Sequence, residues 1–221
     1  MAIDAGEMAL VHRVFRRAFG EIPGLIQRVA PGDVAGARTV GDHLELILLV
    51  LHHHHAAEDD LLWPKLYARA PAAAERIHQV ATQHSHIAAL VDDLDSARTA
   101  WVRAPDRESA GRLCGALTAL GTAVGEHLDD EERDVVPLIE QNVSSEEWQQ
   151  MLDRGAAFLT PRTVRRALVF GGLVLEAADS PRQRAQFLAG LSRGPRMLVT
   201  LFSARALAAQ RRKLAGVTNA R

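Results

Sequence analysis

Two segments of this 221-residue chain repeat one arrangement of histidine, glutamate and proline. Residues 54–66 read HHAAEDDLLWPKL, and residues 127–139 read HLDDEERDVVPLI. Their first histidines, the glutamates four residues later and the prolines superpose without a gap. Residues four apart lie on the same face of an α-helix, about 6 Å from each other. Each segment therefore predicts a helix that presents an imidazole and a carboxylate on one side.

The remaining sequence is also helical in its pattern. Apolar residues recur at helical spacing, Pro and Gly mark the breaks, and no stretch alternates β-branched with polar residues. The four long predicted helices run from Asp4 to Gly20, Val40 to Trp63, Pro71 to Trp101, and Asp106 to about Gln141. Because their connections are short, we expect an all-α fold, with an up-down four-helix bundle over residues 1–143 and additional C-terminal helices.

The apolar stripe of each long helix leads to a histidine. The residues expected to face inward and bind metal are His12, His54, Glu58, His84, His127 and Glu131. Taken alone, a histidine such as His12 or His84 fits a packed core residue. Two inward glutamates do not, because a buried carboxylate is costly unless it is paired or coordinated. Imidazoles and carboxylates without thiolate suit iron best, ahead of manganese and zinc, and six groups leave exchangeable positions on two octahedral ions.

The histidine run at residues 52–55 offers two choices of ligand. His55 and Asp59 are also four residues apart, but the second segment has Leu128 opposite His55, so His54 is favoured. His55 and Glu132 are expected to orient the ligands from outside the ligand set. The other histidines are expected in solvated or outer positions; they are His43, His52, His53, His78 and His86.

The order H…HxxxE…H…HxxxE, read at His12, residues 54–58, His84 and residues 127–131, resembles the hemerythrin-like (HHE cation-binding) family over about residues 1–141. The resemblance implies a four-helix bundle around two non-heme iron ions, joined by an oxo or hydroxo bridge. It further implies that the two glutamates of the motif bridge the irons and that the histidines are terminal ligands.

One departure from the family pattern bears on activity. Oxygen-carrying hemerythrins place two histidines four residues apart on the third helix, whereas Val80 and Ala88 flank His84 here at that distance. One iron is then expected to lack an imidazole and to be more open. This difference disfavours reversible oxygen carriage and favours redox chemistry with dioxygen, hydrogen peroxide or nitric oxide, or the sensing of one of them.

Two classes of function stay open at this point. The first is a diiron oxidoreductase that reduces or decomposes a small oxidant with a reductase as partner, with no catalytic residue beyond the metal ligands. The second is a non-catalytic sensor or iron-holding module that is read out through the C-terminal helices. Phosphate-binding loops, nucleophile elbows and CxxC pairs are absent from the sequence, so nucleotide, hydrolase and thiol-redox chemistry are not supported.

Charge divides the chain near Gly155. Residues 1–154 carry 14 Lys and Arg against 25 Asp and Glu, whereas residues 155–221 carry 12 against 2. We therefore expect a metal-binding bundle at 1–143 and a basic helical extension at 155–221. The predicted helices of the extension start at Thr160-Pro161, at Ser180-Pro181, and at Pro195, the last one ending near Leu214.

The extension has two interpretations. Its helices either cover the acidic bundle or dock on an anionic membrane surface or an acidic protein. Nucleic acid is not expected as a partner, because aromatic residues for base stacking are scarce. A lone cysteine, the lack of a signal peptide and the lack of a membrane-length apolar stretch predict a cytoplasmic protein.

Overall fold

The computed structural model describes residues 5–156 and 163–217, and every regular element within them is helical. The helices are α1 (Gly6–Arg28), α2 (Val34–Ala57), α3 (Trp63–Arg69), α4 (Ala74–Arg103), α5 (Arg107–Asp134), α6 (Val136–Asn142), α7 (Ser145–Gly155), α8 (Val164–Ala177), α9 (Pro181–Gly190) and α10 (Arg193–Gly216). A π-helical turn, Glu58–Leu62, joins α2 to α3, and a 3₁₀ turn, Pro71–Ala73, precedes α4. The expected all-α fold is confirmed.

The four long helices α1, α2, α4 and α5 form the bundle. Helix α1 packs on α2 and α5, and α4 packs on the same two helices. The predicted start of the fourth long helix is confirmed, because Asp106 and Ser109 form a reciprocal capping box at the start of α5. Four boundaries were wrong. Helix α1 continues through Pro23 to Arg28, and α2 begins at Val34, where the Asp33 side chain accepts a hydrogen bond from the Gly36 amide. Helix α2 ends at Ala57 and not at Trp63, and α5 ends at Asp134 and not near Gln141. Asp4, the predicted start of α1, lies outside the described residues.

The two repeated segments end in the same way. Pro64 and Pro137 each lie in the first turn of a seven-residue helix, α3 or α6, where the missing amide hydrogen breaks no helical bond. Helices α3 and α6 pack against each other. The repeat therefore appears in the fold as two long helices that are each followed by a short one.

Two hydrophobic clusters lie along the bundle. The larger cluster includes Phe15, Leu51, Ile87 and Val124 of the long helices. The smaller cluster, toward α3 and α6, includes Met8, Leu62, Val80 and Val135. Along the chain at each of the four helices, at least one predicted metal ligand lies between the residue named from the larger cluster and the residue named from the smaller cluster. The ligands therefore form one polar layer between two apolar clusters.

The C-terminal helices cover the bundle. Helix α8 packs on α1 and α10, α9 packs on α1, and Ala167, Val174 and Leu207 belong to the larger hydrophobic cluster. Helix α8 approaches α10 closely at Gly172, where an added Cβ would lie 2.9 Å from Leu207 Cβ and 3.0 Å from the Ser203 carbonyl oxygen. The division into parts at 1–143 and 155–221 stays a prediction.

Some of the opposite charges pair across this boundary. The guanidinium of Arg166 on α8 donates to the Glu45 carboxylate on α2 over 2.9 Å. Ser180 caps α9 at its predicted start by accepting from the Gln183 amide, whereas Thr160 and Pro161 lie outside the described residues. Helix α7 was not predicted from the sequence. None of the helices in the described ranges is long and apolar enough to cross a membrane.

Candidate metal centre

The structure brings all six predicted ligands into one buried cluster and adds a seventh residue, His55. The cluster consists of His12 from α1, His54 and His55 from α2, Glu58 from the π turn, His84 from α4, and His127 and Glu131 from α5. Both glutamates are fully buried, with 0% of their surface exposed. The seven side chains fall into two groups with ligand atoms close enough to share an ion: His12, His54 and Glu131, and His55, Glu58, His84 and His127.

The two carboxylates lie between the two histidine groups. One oxygen of Glu58 is 3.2 Å from His54 Nε2, and its other oxygen is 3.4 Å from His84 Nε2. The Oε2 atom of Glu131 is 3.3 Å from His12 Nε2 and 3.7 Å from His127 Nε2. Each carboxylate therefore reaches a histidine of both groups.

Three histidines are held through their Nδ1 atoms. His12 Nδ1 bonds to Glu132 Oε1 at 2.8 Å, and His84 Nδ1 bonds to Asp59 Oδ1 at 2.7 Å. His127 Nδ1 bonds to the side-chain oxygen of Gln83 at 3.0 Å. Because these oxygens accept, the proton of a neutral ring belongs on Nδ1, and the lone pair of Nε2 faces the cluster. This arrangement is the usual one for a histidine that binds metal.

In these contacts, each of the two helical pairs, α1–α2 and α4–α5, brings a histidine to a carboxylate of the other pair. His12 of the first pair approaches Glu131 of the second at 3.3 Å, and His84 of the second approaches Glu58 of the first at 3.4 Å. The residue after each glutamate, Glu132 or Asp59, bonds to Nδ1 of the same histidine. The repeat in the sequence thus becomes an approximate two-fold relation in the centre. Glu132 was expected in this outer role from the sequence and Asp59 was not, although the repeat places the two at equivalent positions.

His55 is the residue that breaks this relation. Its ring stacks on His84, with centroids 4.1 Å apart and planes 13° apart, and meets His127 edge-on at 5.0 Å. His55 therefore lies within the cluster of predicted ligands, and its role outside the ligand set stays a prediction. That prediction rested on the repeat, which has Leu128 opposite His55, although His55 also continues the apolar stripe of Leu48 and Leu51.

The remaining histidines lie apart from the cluster. His52, His78 and His86 are exposed, as expected. His43 was expected in a solvated or outer position, which is wrong, because it is buried on α2 with 8% of its surface exposed.

Burial sets the protonation of the cluster. Burial, with repulsion from Glu131 and Asp59, holds the pKa of Glu58 well above its usual value, and burial with repulsion from Glu132 raises the pKa of Glu131 to about 8. Burial and nearby histidines lower the pKa of His127 to about 3. Burial opposes ionisation of Glu132, but its hydrogen bonds with His12 and Arg16 outweigh this effect and lower its pKa to about 2.

The cluster fits a metal ion because many of its buried polar atoms have no hydrogen-bond partner among the described residues. Both oxygens of Glu58 and of Glu131 make no hydrogen bond with any group in the described part of the chain, and the same holds for Nε2 of His55, His84 and His127. Buried polar atoms are rarely left unpaired in folded proteins. Coordination of a cation would satisfy all of them at once.

Comparisons with known proteins agree with this site. A family model, hemerythrin HHE cation binding domain, matches residues 5–139, which include all seven clustered residues. Over 198 residues the chain is 23% identical to the zinc finger protein BRUTUS of Arabidopsis thaliana. This match covers 89% of the present chain but only 16% of BRUTUS. The aligned stretch is longer than the family segment, so it includes part of the chain beyond that segment. No solved structure matches the chain.

Proposed function

Because the chain belongs to the hemerythrin HHE cation-binding domain family, we propose that its cluster holds two iron ions and that the loaded protein reduces or decomposes a small oxidant, namely dioxygen, hydrogen peroxide or nitric oxide. The observation that carries the proposal is the position of both carboxylates between two histidine groups. Five imidazoles and two carboxylates exceed what one octahedral ion accepts. Imidazole and carboxylate donors favour iron over manganese or zinc.

Each residue of the cluster has a distinct role in this proposal. His12 and His54 would hold one ion, the other three histidines would hold the second, and both glutamates would contribute to the site. Asp59, Gln83 and Glu132 fix the Nδ1 protons and so keep the Nε2 lone pairs pointed inward. Bound ferrous iron would supply the two electrons that convert hydrogen peroxide and two protons to two waters, and a reductase would restore them.

His55 changes one expectation about the oxidant. The sequence disfavoured reversible oxygen binding because one iron was expected to lack an imidazole. His55 adds a fifth imidazole to the cluster, so the number of histidines alone does not distinguish oxygen binding from turnover. The distinction has to come from kinetics.

Metal analysis and a turnover assay test the proposal. Protein produced with ample iron is expected to contain two irons per chain, to absorb in the near-ultraviolet through ligand-to-iron charge transfer, and to consume many equivalents of hydrogen peroxide when a reductant is present. A single zinc ion per chain and no colour would contradict the diiron site. Two irons with one equivalent of peroxide consumed would contradict catalysis and leave the site intact.

A non-catalytic sensor or iron-holding module is the second candidate, and the packing of the C-terminal helices favours it. Helices α8 and α9 pack on α1, and α10 packs on α2, and these two bundle helices carry His12, His54 and His55. A change at the metal ligands would therefore reach the basic extension through direct contacts. Stoichiometric colour change, together with altered protease sensitivity of residues 163–217, would favour the sensor over the enzyme.

A further inference from the structure

A large cavity lies between the bundle and the C-terminal helices. Its volume is about 570 Å³, and its walls come from α1, α2, α7, α8, α9 and α10. This volume falls within the range of about 300–1,000 Å³ that is typical of small-molecule sites. The family segment ends at residue 139, so much of the wall belongs to the part of the chain beyond it.

The wall of the cavity is mainly aliphatic and aromatic. Its apolar side chains include Val11, Val50, Leu168, Phe170, Phe187 and Leu198. Among the lining residues that the structure describes there is no Lys or Arg, whereas Glu7 and Asp153 are present. An apolar cavity of this kind binds apolar molecules in preference to water. The two acidic side chains disfavour an anionic ligand.

The cavity reaches the metal centre at one residue. Of the seven clustered residues, all of which the structure describes, His54 alone lines the cavity. Its side chain is 11% exposed, whereas those of Glu58 and His84 are 0% and 5% exposed. A molecule in the cavity would therefore contact the back of a metal ligand.

We propose that this cavity binds a neutral, mainly aliphatic small molecule with a single polar end, such as a long-chain alcohol, in contact with His54. Burial of an aliphatic chain contributes about 0.8 kcal/mol for each methylene group. The absence of a cationic side chain among the described lining residues, with two carboxylates present, selects against a fatty acid anion. This binding does not depend on iron, so it can be measured in the metal-free and the loaded protein.

Displacement of a neutral fluorescent probe tests the proposal. We expect N-phenylnaphthylamine to bind the full-length protein at one saturable site per chain with enhanced emission. Decanol is expected to displace it at a concentration at least about tenfold lower than decanoate, because a charged end without a cation partner opposes burial. Absence of saturable binding, or equal displacement by decanoate, would overturn the proposal.

Two cavity-filling substitutions locate the site. Leu168→Trp on α8 and Leu198→Trp on α10 are expected to weaken probe binding at least about tenfold, since each adds volume to an apolar wall. Leu201→Trp is the matched control, because Leu201 lies on α10 like Leu198, is 63% exposed and does not line the cavity. Equal binding in all three variants would place the probe elsewhere and overturn the proposal. If a filling variant does not fold, the comparison of decanol with decanoate on the unmodified chain still decides.

Contact with His54 gives a second readout. In the iron-loaded protein, saturation with decanol is expected to shift the near-ultraviolet absorption, and the same decanol addition to Leu198→Trp is expected to leave it unchanged. If decanol displaces the probe but leaves the near-ultraviolet absorption of the iron-loaded protein unchanged, the contact with His54 is refuted. Failure of the protein to take up iron would contradict the proposed function and not the cavity, because probe binding is measured without metal.

Discussion

The ring of His55 stacks on the ring of His84, with centroids 4.1 Å apart and planes only 13° apart. Both Nε2 atoms are buried without a hydrogen-bond partner in the described part of the chain. The two imidazoles come from different helices, α2 and α4, and meet beside His127. This arrangement makes His55 a ligand candidate of equal standing with the residues that the sequence pattern selects.

His55→Ala is therefore expected to weaken metal binding, by at least about tenfold if His55 is a ligand or orients one. His52→Ala is the control, because His52 lies in the same histidine run and is exposed. Iron retained after competition with a chelator measures the difference. Equal retention in the two variants would show that His55 neither binds the metal nor orients a ligand.

Glu58→Gln and Glu131→Gln are each expected to remove both ions and not one, because each carboxylate contacts a histidine of both groups. Glutamine keeps the volume of the side chain, so the fold should survive. Glu126→Gln, at an exposed position on the same helix as Glu131, should keep two irons per chain. Loss of only one ion in either variant would show that the carboxylate is not shared.

Asp59→Asn and Glu132→Gln should have similar effects, since the two residues occupy equivalent positions and bond to Nδ1 of His84 and His12. Loss of such an outer partner typically costs about 10–100-fold in metal affinity. A chelator competition on each variant measures this cost. A large effect from one variant and none from the other would contradict the two-fold relation.

Metal binding should release protons at neutral pH. The metal-free protein holds Glu58 and Glu131 protonated, since the pKa of Glu58 is well above its usual value and that of Glu131 is about 8. Coordination requires the carboxylates. Calorimetry in buffers of different ionisation enthalpy should show release that decreases as pH rises through 8. Release that does not change with pH would show that Glu131 is already ionised without metal.

The same carboxyl pKa sets a trend for the stability of the metal-free protein. The pKa of Glu131 is raised in the folded state, from 4.5 to about 8, so between these values the native chain holds a proton that the unfolded chain has lost. The contribution of Glu131 to the free energy of unfolding is therefore complete below pH 4.5 and is lost as pH rises toward 8. His127, whose folded pKa is about 3, acts oppositely but only below its unfolded value of 6.5. Urea unfolding between pH 6.5 and 8 should thus show falling stability, and Glu131→Gln should reduce the slope.

Gly172→Ala should destabilise the packing of α8 on α10, because the new Cβ would lie 3.0 Å from a backbone oxygen that cannot rotate away. Gly111→Ala is the matched control, since Gly111 is an exposed position within α5 and nothing lies within 4 Å of its added Cβ. The control should gain up to about 1 kcal/mol from helix propensity. Thermal unfolding of both variants gives the comparison. A gain for Gly172→Ala would mean that α10 can shift outward without loss.

The sequence predicted the four long helices and their inward histidines because both follow from one period of 3.6 residues. The sequence did not predict features that depend on packing between helices and not on this period. Helix α1 continues past Gly20 and through Pro23, where local propensity favours a break but Ile22 and Ile26 are fully buried. The π turn, Glu58–Leu62, has no distinctive composition and follows from packing. Periodicity extends the apolar stripe of α2 to both His54 and His55, but the repeat, which has Leu128 opposite His55, restricted the predicted ligands to His54.

The exchange of carboxylates between the helical pairs has a consequence for biosynthesis. The α1–α2 pair leaves the ribosome first, with His12, His54 and Glu58 already made. The carboxylates that contact His12, those of Glu131 and Glu132, lie more than a hundred residues further along the chain. A nascent chain that has released only its first hairpin therefore cannot close either half of the centre. Assembly of the complete centre must wait until translation has passed the second hairpin, so a ribosome stalled before residue 127 would expose a chain in which neither group of ligands is complete.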